Sequence, residues 1–369
     1  MQASGPLAFM GAGGKKVCRG GVDRFGETRV SVRLTSDDVL DCISNGIKRS
    51  FRLALIAIRE GGAMVEVSKA AHSGNSDALP EVDQSRLDAT RALFDLPFDK
   101  LAERAGVVSN CRASCLKQPR IGASPIILTG ACATNPPCRH CKWSHFKAAG
   151  MSSFVVDATD DEIAARARSL ASQGVRRAFT ATGWLGYRLP LRFIRLVSVA
   201  HEAAPELELY GLFGALDRES HSSLAAAGLT GMLTSLESPS KVVYDSFRPG
   251  GDTIADRLHA LDYAREAGLK IWSGFLVGLG ETAEDCAYGI ELLRLFEPES
   301  ISILPFEPFP DTPMANHAPT DSTWLARVNA VARVALPNVD YFFADSSKAF
   351  AHSAFERLGL NGLYETNRR

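Results

Sequence analysis

From about Pro125 onward the chain alternates short apolar runs with amphipathic stretches, and this alternation most limits what it can fold into. The runs PIILTG, RRAFTAT, LELYGLF, LTGMLTSLE, LKIWSGFLVG, SISILPFEP and VDYFFAD read as strands, with an eighth expected near LNGLY. Between them, TDDEIAARARSLASQG, LDRESHSSLAAAG, GDTIADRLHALDYAREAG and TAEDCAYGIELLRLF carry helical spacing. Gly174, Gly228 and Gly268 stand where helices terminate in left-handed backbone. Strands alternating with helices build parallel βαβ units. The expectation is an α/β fold, a TIM-like (βα)8 barrel. A doubly wound sheet is the alternative, because periodicity alone does not close a ring.

Upstream the pattern differs. Residues 1–35 read as an arm. Residues 36–120 read as a helical lead-in, in which SDDVLDCISNGIKRSFRLALIAIRE, SRLDATRALFDLP and DKLAERAGVV are separated by loop. Residues 121–369 are the expected barrel. A chain of 369 residues suits one such barrel with extensions. Its 41 basic and 42 acidic residues leave a net charge of −1, so no global field selects nucleic acid or an acidic membrane. No apolar run reaches the length of a membrane span, and the basic residues near the N-terminus follow a weak apolar stretch, the reverse of a signal peptide. Eight irregularly spaced cysteines are unlike a disulfide framework, and a cytoplasmic, reducing setting is expected.

Three of those cysteines are close together. TGACATNPPCRHCKW places Cys132, Cys138 and Cys141 in a Cx5CxxC array directly after the first expected barrel strand. In such barrels the active site lies at the C-terminal ends of the strands. Structural zinc usually has four protein ligands, and the nearest fourth candidates are His140, strained inside the CxxC pair, His145 at an unusual spacing, and Cys115 further back. Three thiolates can instead hold three irons of a [4Fe–4S] cube and leave the fourth iron open to a small molecule. Both metals stay open on these residues alone. Cys111 and Cys115 precede the first strand, and Cys286 reads as a small apolar helix residue.

Other strand ends supply a candidate substrate cavity: Trp184, Tyr210, Glu307, Tyr341 and Asp345. Their mixed aromatic and polar character suits a small organic molecule better than a protein or nucleic acid. In GFLVGLGET, Gly274, Gly278 and Gly280 permit close backbone approach to a ligand, without the lysine and hydroxyl of a phosphate loop.

The cysteine array, together with SLESPSKVVYDSFRPGGDTIADRLHALDYAREAGLKIWSGFLVGLGET (Ser235 to Thr282), resembles radical S-adenosylmethionine (SAM) enzymes. The branch is that of biotin synthase, the [FeFe]-hydrogenase maturase HydE and the methylornithine synthase PylB. The usual motif there is CxxxCxxC with an aromatic before the last cysteine; here the first spacing is five and His140 takes the aromatic's place. The longer spacing resembles HmdB (HcgA)-type proteins, linked to the iron-guanylylpyridinol cofactor of [Fe]-hydrogenase.

That resemblance implies a [4Fe–4S] cluster on Cys132, Cys138 and Cys141, with SAM chelating the open iron and cleaved reductively to a 5′-deoxyadenosyl radical. It further implies His140 beside the adenine, Gly183 near the SAM amino group, Glu237 against SAM, Arg257 on the SAM carboxylate and Gly278 in the adenine-binding turn. An electron donor such as ferredoxin or flavodoxin and a small-molecule substrate follow. Biotin synthase requires additional barrel cysteines, and no corresponding set is present, which disfavours sulfur insertion. Alternatives are a methylornithine-synthase-like mutase, a HydE-like maturase, and a non-catalytic carrier of metal or cluster.

Overall fold

In the computed structural model, which describes residues 18–22, 28–33, 64–67, 79–145, 156–345 and 357–364, the first two strands lie in the expected arm, and the third falls inside the stretch 36–120 expected to be helical. Strands β1 (Cys18–Val22), β2 (Thr28–Arg33) and β3 (Met64–Val67) pair antiparallel in that order, with Val30 opposite Gly20 and Val67. TRVSVR and MVEV place valine at alternate positions, the period of a strand, in pieces short enough to escape a pattern search. The stretch 36–60, expected to be helical, lies outside the described residues. This sheet belongs to one unit, Met1–Glu81; Val82–Arg369 forms a second.

The second unit opens with helices α1 (Gln84–Phe94) and α2 (Phe98–Ser114). Asp83 caps α1 by accepting from the Arg86 amide at 3.1 Å. Later elements hold both helices: Thr90 donates to Glu291 at 2.5 Å and Ser109 to the Leu358 carbonyl at 3.0 Å.

Eight parallel strands then close a barrel. They are β4 (Ile121–Ile127), β5 (Arg177–Ala181), β6 (Glu208–Leu212), β7 (Gly231–Leu233), β8 (Lys270–Val277), β9 (Ser300–Pro305), β10 (Tyr341–Asp345) and β11 (Gly362–Tyr364). Neighbours in space are neighbours in sequence, and β11 pairs back onto β4, Gly362 with Ile121. The (βα)8 expectation holds, and ring closure excludes the doubly wound alternative. The first barrel strand starts four residues before Pro125, because IGAS is small and apolar and pairs with β11 as well as β5.

The outer helices are α3 (Asp160–Ser172), α4 (Leu191–Ala203), α5 (Arg218–Ala226), α6 (Lys241–Phe247), α7 (Ile254–Glu266), α8 (Ala283–Arg294) and α9 (Ser322–Ala335). Reciprocal capping boxes start three of them, Thr159 with Glu162, Thr253 with Asp256 and Thr282 with Asp285. Among the described residues no helix is long and apolar enough to cross a membrane.

A polar and aromatic plug fills the lower barrel. At the strand starts Arg177, 1 % exposed, donates to Glu208 at 2.7 Å, Glu299 at 3.1 Å and Ser300 at 2.8 Å, with its guanidinium over Tyr210 at 4.4 Å. Burial of this charge is tolerable because two carboxylates and the aromatic face compensate it. Above it Trp272 stacks on Phe343 at 4.0 Å and on Tyr364 at 5.3 Å, and its indole N–H donates to Ser302 at 2.7 Å. The plug leaves chemistry to the opposite end, where the strands finish.

Candidate functional site

The loop leaving β4 carries the three thiols to that end. Leu128 extends the sheet by donating to the Ala181 carbonyl at 2.9 Å, and Ala133 donates to Trp184 at 2.7 Å. Cys138 is buried, whereas Cys132 and Cys141 are half-buried. The Cys132 sulfur lies 3.3 Å from the Thr134 hydroxyl and 3.6 Å from that of Ser144. His145, the candidate fourth zinc ligand, instead holds the loop, its Nε2 2.8 Å from the Cys138 carbonyl oxygen.

Burial pushes the Cys141 thiol up to about 12. It raises Cys138 too, against the opposing Arg248 charge. Thiols in such surroundings keep their protons until a Lewis-acidic metal binds the sulfur and the proton leaves to solvent, so loading and deprotonation are coupled. Among the described residues no three His, Cys, Asp or Glu side chains are grouped to hold a single metal ion. Thiols serving separate corners of a cube need not converge on one point, and a donor set of three clustered cysteines fits a [4Fe–4S] cluster.

Next to the thiols is a buried charge network. Glu237 follows β7 and has φ +63°, a left-handed backbone that a glutamate adopts only when its surroundings enforce it. Its amide donates to Ser235 Oγ at 2.9 Å, and its carbonyl accepts from Leu276 at 3.0 Å. Arg257, 3 % exposed, has an acceptor at each nitrogen: Tyr244 OH at 3.1 Å for Nε, the Ser235 carbonyl at 2.6 Å and Glu237 at 2.9 Å for Nη1, and Asp252 at 2.9 Å for Nη2. Asp252 also accepts from the Ala215 amide at 2.9 Å and from Arg248. Burial alone would raise the Glu237 carboxyl, but Arg257, His140 and Arg248 hold it well below the usual carboxylate range. Both acids are therefore ionised and paired.

The expected site residues separate into four groups. His140, Glu237 and Arg257 converge. The His140 Nε2 is 3.6 Å from Glu237 and its ring meets Phe247 edge-on at 4.6 Å, while its buried Nδ1 has no protein partner. Gly183 faces the cysteine loop, since a Cβ there would stand 2.5 Å from that of Cys132 and would also strike the Ala131 carbonyl. Gly278 lies in the turn after β8, its amide donating to Glu281 at 2.8 Å.

Trp184, Glu307 and Asp345 lie at or beyond strand C-termini, all half-buried; the Trp184 indole donates to Ala215 at 3.2 Å. Tyr210 and Tyr341 depart from the expectation that they face the mouth. Tyr341 begins β10 and donates to the Gln118 carbonyl at 3.0 Å, and Tyr210 donates to Glu299, so both belong to the plug around Arg177. The sequence reading missed Asp252 and Tyr244. Asp252 precedes the Thr253 helix cap and looks like ordinary capping sequence, and only burial reveals its role.

Comparisons with known proteins agree with this geometry. Residues 126–293 match the radical SAM superfamily. A biotin synthase of Paramagnetospirillum magneticum is 31% identical over 252 residues, covering 67% of this chain and 74% of that protein. A biotin synthase of Afipia carboxidovorans is 33% identical over 277 residues, covering 71% and 75%. Among solved structures, methylornithine synthase (PylB) superposes with a TM-score of 0.64 at 17% identity, over 75% of this chain and 81% of that one. The FeFe-hydrogenase maturase HydG from Carboxydothermus hydrogenoformans gives 0.65 at 17%, over 77% and 69%. With three clustered thiols at the rim of a closed parallel barrel and this likeness over most of its length, the chain belongs to the radical SAM superfamily.

Proposed function

We propose that Cys132, Cys138 and Cys141 hold the [4Fe–4S] cluster and that the chain acts on a small organic molecule in building the iron-guanylylpyridinol cofactor of [Fe]-hydrogenase. The observation that carries the site reading is the adjacency of the three-thiol loop to Glu237, whose strained backbone and forced ionisation are features of functional residues. When bound, the cluster supplies one electron for reductive cleavage of SAM to methionine and the 5′-deoxyadenosyl radical, which takes a hydrogen atom from substrate.

The protein's own residues bind and orient. Glu237 presents a carboxylate toward SAM; Arg257, expected on the SAM carboxylate, has each of its nitrogens occupied by a protein acceptor and acts instead through Glu237, holding its oxygen at 2.9 Å. His140 offers its unpartnered Nδ1 and ring to the adenine. Gly183 keeps the loop close, and Gly278 shapes the turn after β8. Trp184, Glu307 and Asp345 line the substrate mouth. The aromatic plug below excludes water from that side. A one-electron donor such as ferredoxin or flavodoxin, in the cytoplasm, completes the system.

Support for the cofactor pathway is the Cx5CxxC spacing together with the placement of the remaining described cysteines. Among the cysteines whose side chains are described, Cys286 lies on α8 and Cys111 and Cys115 at the end of α2, and this placement lends no support to biotin-type sulfur insertion. The test is to reconstitute the protein anaerobically with iron and sulfide, then add reductant, SAM and extract of a strain lacking this gene. Formation of 5′-deoxyadenosine with restored pyridinol, read by mass spectrometry, supports the proposal. Methylornithine or biotin in its place refutes the pathway, and absence of SAM cleavage refutes catalysis.

A further inference from the structure

Five residues, Ala133 to Pro137, separate the first two thiols. Thr134 is buried, its hydroxyl 3.1 Å from that of Ser144, while Asn135, Pro136 and Pro137 are exposed. The backbone of this bulge lies on the turn that follows α6. A Cβ added to Gly250 would stand 2.5 Å from the Asn135 carbonyl carbon and the Pro136 oxygen, and 2.6 Å from the Asn135 oxygen. One added to Gly251 would stand 2.7 Å from the Thr134 methyl. Farther along, the Arg139 amide donates to the Phe247 carbonyl at 2.8 Å, and its guanidinium to the Ser246 carbonyl at 3.3 Å. Thr134 to Pro136 thus meet Gly250 and Gly251 at one end of the seam, and Arg139 meets Ser246 and Phe247 at the other. Gly250 is not in left-handed backbone, so its missing side chain reflects the approach of the loop and not its own conformation.

We propose that the turn Phe247–Gly251 is a preformed seat for the enlarged cysteine loop, fixing Cys138 before any iron arrives. The proposal rests on the three thiols being the cluster ligands. A five-residue excursion between two ligands has conformational entropy to lose when both engage one cluster. Seating the loop during folding removes that cost from assembly. The Arg139 amide adjoins Cys138, so anchoring one fixes the other. Gly250 and the Phe247 carbonyl are positioning groups in this scheme.

Gly250→Ala tests it, because alanine accepts the backbone conformation and only its Cβ meets the loop. In the cluster-free wild type, the Ala133 and Arg139 amides should exchange slowly with solvent deuterium. In Gly250→Ala, exchange across residues 133–139 should accelerate, and iron bound after reconstitution should fall by roughly fivefold, a shift typical of overpacking against backbone. Gly106→Ala in α2, where an added Cβ finds 3.4 Å of room, should match wild type in both readouts. Wild-type iron and exchange in Gly250→Ala would overturn the seat. So would free exchange of the loop in the wild-type cluster-free protein, a measurement that holds even if Gly250→Ala fails to fold. Cys132→Ala separates the layers: if it retains full iron, the ligand assignment has failed; if it loses iron while Gly250→Ala does not, only the seat has.

Discussion

Arg257→Ala should unsettle the protein and its SAM site together, by amounts that follow from burial. The Arg257 side chain is 4 % exposed, and those of its carboxylate partners Glu237 and Asp252 are 18 % and 0 % exposed, so the weak, solvent-screened regime of surface pairs does not apply. Removing one member of a buried ion pair leaves the other charge without compensation and costs about 3–5 kcal/mol. Arg248 still faces Asp252, which puts the expected loss at the lower end. For a domain of this size that is a fall of roughly 10 °C in melting temperature of the cluster-free protein. Glu237 then loses the 2.9 Å contact that aims it, and SAM affinity should drop by roughly ten- to hundredfold, the range for a lost charge-assisted contact. Iron content should stay at the wild-type level. Differential scanning fluorimetry, iron analysis and SAM titration read the three quantities. A melting temperature within about 2 °C of wild type would refute the ion network as the support of this site. An unchanged SAM affinity would refute the positioning of Glu237 by Arg257.

Alanine at Cys132, Cys138 or Cys141 should abolish the absorbance near ~400 nm and SAM cleavage together, whereas Cys111→Ala and Cys115→Ala should retain both; four irons on the triple variant would end the assignment. Trp272→Ala should cost about 3–5 kcal/mol in denaturant unfolding while sparing iron content, because its 4.0 Å stack on Phe343 lies in the plug. His221 is buried with Nε2 unpartnered, and burial pushes it down from 6.5 to about 4. The unfolded chain binds that proton first, so stability is complete above pH 6.5 and falls as the pH drops toward 4. By pH 5 the loss is roughly 2 kcal/mol, and His221→Gln should flatten that part of a stability profile measured in urea.

Much of this was legible in the sequence, unevenly. Strands rich in Val, Ile, Phe and Leu declared themselves, as did helices with Thr caps and terminal glycines. Ile121–Ser124 did not, because small residues carry no periodicity of their own, and neither did the valine alternation of TRVSVR. The three cysteines stand out by their spacing, which on its own leaves both zinc and a cluster open. Tyr210 and Tyr341 misled because sequence does not say which end of a strand an aromatic serves; their hydroxyls turn toward Glu299 and Gln118 at the closed end. Asp252 was hidden for a different reason. Its importance comes from burial between Arg248 and Arg257, near neighbours in the chain whose side chains turn onto it, and nothing in GGDT announces that burial.

The pairing of β11 with β4 has a consequence for how the chain is made. Ile121–Ala123 and Gly362–Tyr364 are about 240 residues apart, so the ring is completed by its last-synthesised strand. Until then β4 and β10 are edges with open backbone groups, and bringing such distant segments together is the slow class of contact. A ribosome-bound chain truncated before Gly362 should therefore expose a sticky, open-sided sheet that recruits chaperones. Once Gly362–Tyr364 has paired with Ile121–Ala123, both edges are covered.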